Sequence, residues 1–177
     1  MNKTQTVPNL KFDIGELLDR LLGTSISYSF SEPSLYEDFD TQTTLDGKLD
    51  IMRIEKSLNV IIRDFETTIV FPSCSRCLQE FTLPIKIEHA ERQFYIKEPQ
   101  DLDDPNDFYL VDLKHQQIDI SEMLRQEIIL HFPTFLVCSN SCKGICDQCG
   151  NDRNQKDCDC QQIEVTNNPF SQLKELI

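Results

Sequence analysis

The chain has 177 residues, with 30 Asp and Glu against 17 Lys and Arg, a formal net charge of −13, eight Cys, five Gly and no Trp. That length suits one domain of ordinary size, which excludes a large multidomain enzyme and leaves enough buried surface for a core without disulfides. At 39% hydrophobic and 27% charged residues, with no run of 18 apolar positions, the chain is expected to be soluble and globular, neither disordered throughout nor spanning a membrane.

The stretch Met1 to Gly15 holds no apolar segment of secretory-signal length, so the cytosol is the expected compartment. A helix is predicted over Ile14 to Leu22. Asp13 and Glu16 stand at capping-box spacing, Leu17, Leu18, Leu21 and Leu22 form the stripe, and Gly23 suits the end. Ile26, Tyr28 and Phe30 alternate with serines, the period of a half-buried strand, before an acidic, turn-like Ser31 to Asp40. Thr43 to Phe71 is rich in Ile, Val, Thr and Phe and reads as two strands joined through Glu55 to Asn59, with a bulge or close approach at Gly47 and a second bulge near Asp64.

Phe81, Leu83, Ile85 and Ile87 alternate with polar residues, and Pro84 on the outer face favours a sheet edge or barrel rim. His89 is expected to end this strand on the core side. Glu98 to Asp107, with five acids and two prolines, reads as an exposed connector without assigned function. A second helix is expected from about Asp119, with Ile120, Met123, Leu124 and Ile128 on its buried face and Pro133 as its stop. Asn168 and Pro169 open a short terminal helix bearing Phe170, Leu173 and Leu176. The resulting fold class is α+β: a twisted antiparallel β-sheet or partly open barrel, a few short helices and a Cys-rich, zinc-stapled C-terminal lobe. Its divisions are a core over residues 1–137, a metal-binding lobe over 138–160 and a tail over 161–177.

The chemistry lies in the thiols. They stand as Cys74-x2-Cys77, Cys138-x3-Cys142-x3-Cys146-x2-Cys149 and Cys158-x-Cys160, and in a reducing compartment such spacing points to metal rather than disulfides. Eight thiolates make two complete tetrahedral zinc sites. Cys146, Cys149, Cys158 and Cys160 lie within fifteen residues and can close around one ion, with Gly150 supplying a permissive knuckle backbone. Cys74, Cys77, Cys138 and Cys142 would form a long-range clasp across sixty residues. Spacing alone leaves open an exchange of Cys142 with Cys146, and a single site with spare thiols; the expected cofactor is therefore one or two structural Zn²⁺ ions. The polar segment around Cys142 to Cys160 has too little apolar content to fold without a cross-link, and metal supplies one. Arg76, Lys143, Arg153 and Lys156 read as local charge compensation for thiolates rather than as a nucleic-acid patch.

Two enzyme readings fit less well. A thioredoxin-like C-x-x-C belongs at a strand-to-helix junction, whereas Cys74 and Cys77 stand between strand-like stretches. A zinc deaminase places H-x-E before P-C-x-x-C, but here His89-Ala90-Glu91 follows Cys77, and Ser73 separates Pro72 from Cys74. No catalytic residue is assigned. The runner-up function is a metal-dependent hydrolase or nuclease using Asp101 or Asp104; direct RNA binding through Arg76 and Arg153 is a third reading.

Five stretches together resemble one family: FDIGELLDRLLGTSISYSF from Phe12, CSRCLQEF from Cys74, RQEIILHFP from Arg125, CKGICDQCGNDRNQKDCDC from Cys142 and NPFSQLKEL from Asn168. They are similar to the bacterial YceD proteins, also called large ribosomal RNA subunit accumulation proteins, which have plastid relatives. One departure is that Arg153 stands where the family's Gly-x-Asn-Leu-Asn stretch has Leu. The resemblance implies a cytoplasmic, non-enzymatic factor needed for normal levels or processing of large-subunit (23S) ribosomal RNA, touched directly or indirectly. It implies no small-molecule substrate and no membrane. The acid excess fits a basic ribosomal or assembly protein as the immediate partner.

Overall fold

The computed structural model describes residues 10–33, 36–99 and 108–160. In chain order these form β1 (Lys11–Asp13), α1 (Gly15–Leu18), β2 (Ser25–Glu32), β3 (Asp40–Thr41), β4 (Leu45–Arg53), β5 (Ser57–Phe71), β6 (Phe81–Tyr95), β7 (Tyr109–Leu110), β8 (Gln117–Asp119) and α2 (Ser121–Leu130). The main sheet runs β2-β4-β5-β6-β7, with β3 also on β5, and β1 with β8 makes a second, two-stranded sheet. Every pairing is antiparallel except β6 with β7, where Phe94 and Tyr95 run parallel to Tyr109 and Leu110. Among the described residues neither sheet closes on itself, so the expected antiparallel sheet is present and a closed barrel is not. No helix among the described residues is long and apolar enough to cross a membrane.

The β5–β6 hairpin dominates, and it bends in the middle. Along β5 the main core takes Leu58, Val60 and Ile62 before Asp64 but Phe65, Ile69 and Phe71 after it, while Ser57 and Ile61, of the other parity, are buried as well. On β6 the parity changes at the matching place, between Ile87 and Ala90. Asp64 itself has φ 49°, and the β4–β5 register shifts between Asp46 and Lys48. The two features are one bulge, the extra residue of β5 at Asp64 falling opposite Gly47 of β4, so the expected second bulge and the close approach at Gly47 coincide, and the bulge lets each strand keep one face on the core while the sheet coils. Gly47 sits where a Cβ would lie 2.7 Å from Phe30 Cζ and 3.3 Å from Phe65 Cδ2; the rings of β2 and β5 close over it, which only Gly permits.

The bend also corrects the placement of His89. Paired with Arg63, it falls among the outward residues at the parity change, and its ring reaches Glu91 at 3.3 Å on the exposed face. Pro84 lies on the outer face of β6, along an edge that no other described strand pairs at that position, as anticipated. The β4–β5 turn is tighter than the predicted Glu55 to Asn59: Ile54 N–H donates to Ser57 O at 3.0 Å, and Ser57 already belongs to β5.

Helix α1 is a single turn where nine residues were predicted. The carbonyls of Leu17 and Leu18, and of Arg20 just beyond the helix, accept from the Arg53 guanidinium, those at Leu17 and Arg20 at 3.4 and 2.6 Å, so a side chain from β4 takes the bonds that another helical turn would have used. Leu17 is buried, but Leu21 is 84% exposed. Asp13 does not cap the helix; its carboxylate accepts from Gly15 N–H at 3.0 Å, and Ile14 takes the N-cap place. Gly23, at φ +85°, turns the chain into β2 rather than ending the helix.

Helix α2 agrees closely with its sequence pattern. Ile120, Met123, Leu124 and Ile128 are fully buried against Phe65, Phe94 and the other sheet residues of one continuous core, each contributing about 1.5–3 kcal/mol of transfer free energy. Glu127 joins that face, with its side chain 8% exposed and ion-paired to Arg92 of β6. The predicted tail helix from Asn168, and most of the Glu98 to Asp107 connector, lie outside the described residues.

Candidate metal centre

The first cluster grows from the end of the long hairpin. Between β5 and β6 the chain folds into a knuckle: Cys74 N–H donates to Gln79 O at 2.8 Å, and Leu78 N–H returns to Cys74 O at 3.0 Å, with Leu78 in the left-handed region at φ 61°. The segment leaving α2 docks alongside, Ser75 N–H donating to Leu136 O at 2.7 Å. This delivers Cys138 and Cys142 to the knuckle. The sulfurs of Cys74, Cys77, Cys138 and Cys142 all lie within 4.8 Å of one another, and three of the four residues are buried.

The second cluster is local. Gly150 N–H donates to Cys146 O and Cys146 N–H to Asn151 O, both at 2.8 Å, closing a knuckle that uses Gly150 at φ +72°. Cys158 and Cys160 return to it, and the sulfurs of Cys146, Cys149, Cys158 and Cys160 again lie within 4.8 Å of one another. The structure thus separates Cys142 from Cys146 and leaves no thiol spare among the eight. His89 is not part of either group, and Asp101 and Asp104 lie outside the described residues.

Sulfur separations test what such groups can hold. Four sulfurs about 2.3 Å from a common centre stand roughly 3.8 Å apart in a tetrahedron, and Cys77 Sγ to Cys138 Sγ is 3.7 Å while Cys74 Sγ to Cys142 Sγ is 3.9 Å. A disulfide needs about 2.05 Å. The donors around the sulfurs favour thiolates: Arg76 N–H and Cys138 N–H point at Cys74 Sγ from 3.4 and 3.3 Å, and Asn154 Nδ2 points at Cys142 Sγ from 3.4 Å. Burial opposes ionisation of Cys74, but the N–H groups of Cys77, Cys138 and Arg76 outweigh it and bring the thiol down to about 6. The N–H groups of Cys149 and Gln148, followed by the Arg153 side chain, bring Cys146 to about 6. At Cys142 burial is likewise outweighed, by Asn154 and then Gly144 N–H. Cys138 is pushed up to about 12 by the neighbouring Cys142 sulfur and by desolvation, and Cys160 to about 12 by Cys149 and by desolvation. Each cluster therefore pairs a thiol that ionises readily with one that yields its proton only to a cation, and the sulfur set suits a soft or borderline ion such as Zn²⁺.

The basic residues singled out from the sequence lie around these thiols. The Arg76 guanidinium donates to Cys142 O at 3.1 Å and Asn140 O at 3.5 Å. Lys143 reaches Asp157 and Arg153 reaches Asp147, each at 3.3 Å, and Arg153 is held in its charged form first by its hydrogen bond to Cys146. Two residues escaped sequence reasoning. Gly144, at φ +73°, lets the lobe approach so closely that a Cβ would sit 3.0 Å from Arg76 O; Asn154 bridges the lobe to Cys142. A Gly beside a Cys motif was the one available signal for the first. The second had none.

An open sheet whose longest hairpin ends in a thiol knuckle, with a second four-thiol lobe laid against it, defines a small β-rich protein able to take two metal ions. The chain belongs to the YceD family: the family model described as Large ribosomal RNA subunit accumulation protein YceD matches residues 65–177, a span that starts at the Asp64 bend and contains every cysteine. It is also similar to Large ribosomal RNA subunit accumulation protein YCED homolog 1, chloroplastic, of Arabidopsis thaliana, at 27% identity over 168 residues, covering 78% of this chain and 51% of that protein. The chain thus spans about half the length of that curated relative. No solved structure matches.

Proposed function

We propose that this protein is a non-enzymatic zinc-binding factor that supports the accumulation or processing of large-subunit (23S) ribosomal RNA, acting through a basic ribosomal or assembly protein in a reducing compartment such as the cytoplasm. The observation that carries the reading is the family match, which encloses both thiol clusters and is described by large ribosomal RNA subunit accumulation. The name of the plastid relative points the same way. Zn²⁺ held by Cys74, Cys77, Cys138 and Cys142, and by Cys146, Cys149, Cys158 and Cys160, would fix the 138–160 lobe on the 1–137 core as one docking surface. A net charge of −13 favours a basic polypeptide over a phosphate backbone as the immediate contact.

The test is capture of partners from lysate with the tagged full chain, before and after nuclease treatment. Retention of a basic ribosomal or assembly protein after RNA digestion supports the reading. Loss of every partner on digestion, together with a steep fall of RNA affinity with salt, would replace it with direct RNA binding.

A further inference from the structure

Resting on the two-site reading above, we infer that the two four-sulfur centres bind metal cooperatively, and that Asn154 is the positioning residue that couples them. Asn154 belongs to the outer lobe, between Cys149 and Cys158, yet its carboxamide nitrogen donates to Cys142 Sγ of the inner cluster at 3.4 Å. Its orientation is determined by its other contacts. Oδ1 accepts from Lys143 N–H at 2.8 Å, while Nδ2 and the backbone N–H both donate to Asp152 Oδ1, at 2.7 and 2.9 Å. Lys143 N–H can only donate and a carboxylate can only accept, so the amide cannot be turned round.

The arrangement makes each centre sensitive to the other. Closing the outer cluster fixes the loop that presents Asn154. Metal at the inner cluster turns Cys142 into a committed thiolate, a stronger acceptor for the same N–H. Two backbone bonds run beside this contact, Ile145 N–H to Arg76 O at 3.0 Å and Arg153 N–H to Gly144 O at 2.9 Å, so the lobe has a fixed seat on the inner knuckle. Opposing the coupling is repulsion between two centres of net charge −2, which Arg76 and Arg153 moderate by lying beside Cys142 O and Cys146 respectively. By linkage, whatever factor outer metal adds to inner affinity, inner metal adds to outer affinity. The factor expected from one sulfur-directed bond is on the order of tenfold.

The test is Zn²⁺ competition against a chelator on the reduced, metal-free full chain at fixed pH. The product of the two wild-type binding constants is compared with the product of the single-site constants from Cys149→Ser, which keeps the inner site, and Cys77→Ser, which keeps the outer one. The ratio is expected to be on the order of ten. The set is repeated with Asn154→Asp, which retains the acceptor for Lys143 but loses the donor to sulfur, and the ratio should fall to one or below. A wild-type ratio of one, or a ratio that survives Asn154→Asp, overturns the coupling while leaving two zinc sites standing. Absence of any zinc uptake overturns the two-site reading and this inference together.

Discussion

The backbone N–H of Ile145 donates to the carbonyl oxygen of Arg76 at 3.0 Å, and this bond joins the two thiol knuckles: Arg76 lies between Cys74 and Cys77, and Ile145 immediately precedes Cys146. The residue that makes the approach possible is Gly144, left-handed and packed so that a Cβ would meet Arg76 O. Gly144→Ala is therefore expected to loosen the lobe by about 1–3 kcal/mol. Hydrogen exchange should accelerate over residues 143–160 and stay unchanged in β5 and β6; a uniform change across both would contradict it.

A second prediction concerns the core. Glu127 is buried and relies on Arg92, whose own side chain is 39% exposed. Arg92→Ala strands a carboxylate between α2 and β6 and should cost about 3 kcal/mol, the low end for breaking a buried pair because water reaches the Arg side. Glu127→Gln on top of Arg92→Ala should recover part of the loss in urea denaturation, since it removes the stranded charge.

Tyr36 gives a pH dependence with a definite sign. Its hydroxyl donates to Ser121 O at 3.0 Å, and burial, then Asp119 and Glu122, hold its pKa well above the ordinary 10.0. An acid whose folded pKa is raised binds its proton more tightly when folded, so its stabilising contribution is complete below pH 10 and is lost as pH climbs above it. Between pH 8 and 11 the urea midpoint of the wild type should fall more steeply than that of Tyr36→Phe. Parallel slopes would remove Tyr36 from the account.

Legibility of the sequence followed the range of the forces involved. Helix α2 was readable because its buried stripe is local and strongly periodic, and β2 because serine and apolar residues alternate cleanly. Helix α1 was overread because the signal that ends it, Arg53, sits on a strand more than thirty residues away. His89 was misplaced because a period of two is only trustworthy between bulges, and the bend at Asp64 shifts the phase of its partner strand as well. For the thiols, counting in fours and the closeness of Cys146 to Cys160 suggest the grouping found in the fold, whereas the seat of one cluster on the other depends on Gly144 and Asn154. Neither residue carries a spacing pattern.

The most direct measurement is metal content per chain by elemental analysis, on protein purified without a metal-affinity tag and kept reduced. The account predicts two zinc ions per chain, falling to one in Cys74→Ser and to one in Cys149→Ser. A metal-free chain whose residues 138–160 remain protected from hydrogen exchange, or one whose thiols prove to be joined as disulfides, would contradict it.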